Sequence, residues 1–109
     1  NMDELQEIIK KIQSTEDLNL FNETHKKILS LGSKVRFSVF PIYVRNIIKD
    51  KIIAILYFNK KNFLNLGLNI SKNKISNGFV DASYMKYPGI NYSIKIMKKS
   101  DIKKITIDK

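Results

Sequence analysis

At Lys34 the hydrophobic pattern of the chain changes period. Before it, Leu5, Ile8, Ile9 and Ile12 recur at helical spacing with Glu4, Glu7, Lys10 and Lys11 on the other side, and Leu18, Phe21, His25, Ile28 and Leu29 form a second such stripe. After it, Val35, Phe37 and Val39 alternate with Lys34, Arg36 and Ser38. A helix buries one stripe and a strand buries every second residue, so two helices followed by a run of strands must stack as two layers. The spacing predicts one helix over about Asp3 to Gln13. Ser14 or Thr15 caps a second, with Glu16 and Asp17 in its first turn and Gly32 at its end.

Pro41 interrupts the first strand. It cannot donate to a sheet ladder and holds Phe40 extended, which suits a bend between this strand and the next. Tyr43 to Ile47 resumes the strand, "IKDK" turns it, and Lys51 to Phe58 returns with apolar residues on both faces, the pattern of a central, doubly covered strand. Leu64, Leu66, Leu68 and Ile70 alternate next, and Ser71 to Gly78 is a polar loop. Phe79 to Ala82 reads as a short strand or an irregular segment, and "YPG" at Tyr87 turns the chain into a final strand over Ile90 to Ile96. Ser100 then caps a short helix, with "ITI" after it equally suited to an extended path. The expected fold is α+β: two N-terminal helices packed on a largely antiparallel sheet of about five strands, with a short C-terminal helix. It is read as one domain over 2–109, with Asn1 ahead of Met2 as a tag remnant.

Cysteine is absent, so disulfides, thiolate metal sites and thiol nucleophiles are excluded; this fits a reducing, cytoplasmic setting. The longest apolar run, "IIAILYF" from Ile52, is far short of the ~20 residues that a membrane helix needs, and no leader pattern is visible. The formal charge of +10 raises the question of nucleic acid. Lys, Asn and Ile are together frequent, as AT-rich coding would make them, and Arg occurs only as Arg36 and Arg45, so the plainer reading of the charge is a solvated surface. If the charge is functional, the expected surface is one basic sheet face made by Lys34, Arg36, Arg45 and Lys95. Lysines interleaved with aromatics at Phe58 to Phe63 and Tyr84 to Tyr87 have the composition of a base-stacking surface, although turn positions tolerate the same residues.

The order of motifs resembles the YdhG-like family of small bacterial domains, most of unknown function. "FSVFPIY" from Phe37, "FNKKNFLNLGL" from Phe58 and "YPGINYSIKI" from Tyr87 stand where that family has a Tyr or Trp, then Pro, then an aromatic just after the second helix, a Lys-rich turn with an apolar strand after a hairpin, and a Gly-rich loop into the last strand. The resemblance spans about Asp17 to Ile102 and implies an α+β domain of bacterial type. The family often has an acidic residue before the first strand and a basic one entering the last, where this chain has Lys34 to Arg36 and Asn91. One branch resembles a frataxin-like iron chaperone. That activity needs converging carboxylates, which the scattered acids here do not suggest.

His25, the one imidazole, lies on an apolar stripe and reads as a core or rim residue. No phosphate loop, dinucleotide fingerprint, zinc spacing or serine elbow is present, so no catalytic residue, cofactor or metal is nominated. Phe40, Pro41 and Tyr43, with His25, are the candidates for a small apolar pocket at the bend. The leading expectation is a non-enzymatic domain binding a small ligand or a protein partner. The alternative is weak, sequence-independent nucleic-acid binding. Open sheet edges, blunted by Pro41 and lysines, suggest a monomer or a specific homodimer.

Overall fold

A computed structural model describes residues 2–107 of the chain. The elements follow the order α1 (Met2–Lys10), α2 (Thr15–Leu29), β1 (Val35–Val39), β2 (Val44–Ile48), β3 (Lys51–Phe58), β4 (Leu64–Leu68), β5 (Val80–Asp81), β6 (Tyr92–Ile96) and α3 (Lys99–Ile102). The sheet has six strands in the order β1-β2-β3-β4-β6-β5, and every neighbouring pair is antiparallel. The strand beyond the expected five is β5, only two residues long, which lies outside β6.

Local chemistry sets the boundaries. Ser14 begins α2 by accepting the Asp17 N–H at 3.0 Å on its side chain. The second stripe lies slightly off its expected course: Leu20, Phe21, Thr24, His25 and Ile28 are buried, while Leu29 is exposed. Pro41 and Ile42 form the tip of the β1–β2 hairpin, closed by the Phe40 N–H donating to the Tyr43 carbonyl at 2.8 Å. The tip therefore needs no N–H from the proline. α3 starts at Lys99, before Ser100, because the Asp101 carboxylate accepts the N–H groups of Met97 at 2.9 Å and Lys98 at 3.2 Å. After it, Ile105 and Ile107 are buried.

The main core lies between the helices and one sheet face. Ala54, Leu56, Leu64, Leu66, Leu68, Ile94 and Ile96 supply the sheet side, and Phe21 and Ile28 the helix side. The register explains the doubly apolar β3. Ala54 and Leu56 point to the helices, Ile55 to the opposite face, and a bulge beside Asn46 and Ile47 lets Ile53 join the helix side too. Among the described residues no helix is long and apolar enough to cross a membrane.

Candidate functional site

The sheet face turned away from the helices is crossed by the chain between β5 and β6. Ala82 and Ile90 bury against Ile55, and Met85 and Tyr87 pack around them. This close approach depends on Gly67 in β4, where a Cβ would stand 2.6 Å from Met85 Sδ and 2.8 Å from Ile90 Cγ2.

The crossing segment divides the open face. On the β2 side, Arg45 holds its guanidinium carbon 4.9 Å from the centre of the Phe40 ring, which stacks on Tyr43 at 4.7 Å; Tyr43 in turn lies 5.5 Å from Tyr87. On the other side, Asn65 in β4 stands opposite Tyr57 in β3 and Lys95 in β6. Its amide donates to the Tyr57 hydroxyl at 3.0 Å and to the Tyr84 hydroxyl at 2.9 Å, and Tyr84 shares a hydrogen bond with Ser93 Oγ at 2.9 Å. Burial raises the Tyr57 phenol above its ordinary range, and the N–H from Asn65 partly opposes this. The Lys95 ammonium rests 4.4 Å from the centre of the Phe63 ring.

Tyr57, Phe63, Asn65, Tyr84, Ser93 and Lys95 line a broad groove of about 1040 Å³ running from the β3–β4 turn over β4 and β6 to the start of α3. Among the described residues the large apolar side chains most open to solvent are Ile42, Val80, Tyr84 and Met97, at 75%, 56%, 56% and 57%, and all four line this groove. Lys60, Lys61, Lys95 and Lys98 line it as well. Its one carboxylate, Asp101, is taken up by two backbone N–H groups and by Lys104 at 3.5 Å. The groove thus offers cations and apolar surface, with no carboxylate free. The wider charge distribution agrees: residues 3–23 carry six carboxylates against two lysines, whereas the rest of the chain holds 18 of the 20 Lys and Arg side chains.

A smaller cleft of about 240 Å³ lies where the α1–α2 corner meets the hairpin tip and the β3–β4 turn. Pro41 and Tyr43 line it. Phe40 does not; it turns under Arg45. His25 is separate from both sites, buried between Phe21, stacked at 6.3 Å, and Phe37, edge-on at 4.8 Å. Its Nδ1 has no partner, and burial lowers its pKa. The register puts Arg36, Arg45 and Lys95 on one sheet face, but the crossing segment lies over the strands between Arg45 and Lys95. Lys34 is exposed just ahead of β1. Tyr57, Asn65 and Ser93 were not among the expected site residues, and Tyr84 was expected only as part of the aromatic–lysine motif at Tyr84 to Tyr87. Asn65 alternates with leucines and so reads as a solvent-facing position.

The chain matches no family model, no curated protein and no solved structure. Among the described residues there is no group of three His, Asp or Glu side chains that could hold a metal ion.

Proposed function

We propose that the chain is a non-enzymatic binding domain that holds single-stranded nucleic acid, without regard to sequence, in the groove over β4 and β6. One observation carries this reading: four lysines and the most exposed apolar and aromatic side chains converge on one surface that has no free carboxylate. Lysines neutralise phosphates by releasing counterions, and aromatic faces stack on unpaired bases, so the two together suit a strand whose bases are open. A duplex would hide those bases, and an acidic peptide would leave the aromatic faces without planar partners. Arg36 and Arg45 add a second cationic patch beyond the crossing segment. Membership of the YdhG-like family is part of this proposal. It is supported by the motif order, which falls on the hairpin tip, the β3–β4 turn and the run into β6.

The test is fluorescence anisotropy of labelled mixed-sequence single-stranded DNA and RNA, with unlabelled polyglutamate as competitor. Binding is expected to weaken in a Lys60→Gln/Lys95→Gln variant, and Tyr84→Ala is expected to cost roughly 1–3 kcal/mol, the worth of one stacked base. Equal competition by polyglutamate, or unchanged binding in the lysine variant, overturns the reading. A second reading, a small free ligand at Pro41, is favoured by the apolar residues Ile12, Phe21 and Leu56 that line that cleft and is tested by a thermal-shift screen.

A further inference from the structure

The cleft and the groove share a wall. Ile42, Tyr57, Phe58 and Asn59 line both. Among the described residues Ile42 is the most exposed of the large apolar side chains, and it stands at the tip of a tight hairpin where nothing in the fold requires an isoleucine. An apolar side chain left open between two concave surfaces fits a ligand that passes from one to the other.

We infer that the cleft receives one terminal base of the strand that lies in the groove; this inference rests on the nucleic-acid reading above. A base is apolar on its two faces and hydrogen-bonding at its edge, and the cleft has the same two kinds of surface. Its floor is apolar, with Ile12, Phe21 and Leu56. Its lining carries the amides of Gln13, Asn59 and Asn62, groups that can donate to a base edge or accept from it, together with the charged side chains of Lys11 and Asp17. The Asn59 side chain is already oriented: its Oδ1 accepts the N–H groups of Lys61 at 2.9 Å and Phe63 at 3.2 Å, which leaves the NH₂ to donate. The size also fits, since about 240 Å³ lies under the ~300 Å³ at which pockets for drug-sized ligands begin, room for one heterocycle rather than a larger molecule. We take the base to be terminal because the α1–α2 corner, with Ile8, Lys11, Ile12 and Gln13, lines the cleft beyond the wall it shares with the groove, so the strand's course along the groove ends there.

The experiment compares three labelled oligonucleotides with the same number of phosphates: one intact, one abasic at the 5′ end and one abasic at the 3′ end. Each is titrated against the wild type and against Gln13→Trp, which fills the mouth of the cleft from an exposed rim position. The expected result is a loss of about tenfold for one of the abasic ends on the wild type, in line with the worth of a single stacked base. The intact strand should show the same loss on Gln13→Trp, with no further loss for the abasic strand. If both abasic strands bind the wild type as the intact one does, the inference fails and the groove reading stands. If no strand binds, the groove reading fails and the inference falls with it.

Discussion

Asn65 and Tyr84 are 19 residues apart in the chain, and the amide nitrogen of one lies 2.9 Å from the hydroxyl of the other. This bond ties the crossing segment to β4, and the same amide reaches Tyr57 in β3. Two tyrosines that bound the groove are thereby fixed by one side chain, before any ligand arrives.

The Tyr57 phenol should report that bond. Burial raises its pKa and the Asn65 N–H lowers it, so Asn65→Leu should move Tyr57 further up. A phenolate absorbance titration, with Tyr57→Phe to assign the signal, checks this. The stability linked to the raised value is complete below the ordinary tyrosine range near ~10 and is lost as pH rises through the folded value.

Gly67→Ala should destabilise the fold. The added methyl meets Met85 and Ile90, and overpacking of this kind typically costs about 1–3 kcal/mol. In a Met85→Ala background the same substitution should cost less, because the nearer obstacle is gone. Denaturant unfolding of the four proteins in this cycle measures the difference.

Asn46 has no exposed surface, and neither end of its amide has a partner. It sits on the helix side of β2, opposite Phe37 and Ala54. A stranded buried polar group costs about 1–3 kcal/mol, so Asn46→Leu should raise the unfolding midpoint, against the usual direction of a core substitution.

Acid should weaken the α2 packing through His25. Burial holds its folded pKa below the ordinary value of 6.5, so the stability linked to it is present above that value and lost as pH falls through the folded one. His25→Phe keeps a ring between Phe21 and Phe37 and should remove that component of the pH dependence. Unfolding midpoints of both proteins from neutral to mildly acid pH decide it.

The layers of this fold were legible because period reports burial directly. The alternating leucines of β4 placed its core side, and Pro41 marked the break between β1 and β2, although the sequence suggests a bend there and not the tip of a hairpin. β5 was harder to read, since two residues carry no period and their pairing with β6 depends on chain that returns later. The site was mostly hidden for a related reason. Alternation separates a covered face from an open one, but not an open face from one crossed by a distant loop. Asn65 and Gly67 therefore looked like solvent positions, when one anchors Tyr84 and the other admits Met85 and Ile90. Lys60, Lys61 and Phe63 were visible as a motif, but only the fold brings them beside Tyr84 and Lys95.

The measurement closest to the central claim is the salt dependence of single-stranded DNA binding. With four lysines on phosphates, the slope of log affinity against log salt should be roughly −3, at about 0.7 per neutralised phosphate, and should flatten by more than one when Lys60 and Lys95 become glutamine. A slope near zero, or one that the double substitution leaves unchanged, would contradict the groove as the binding surface.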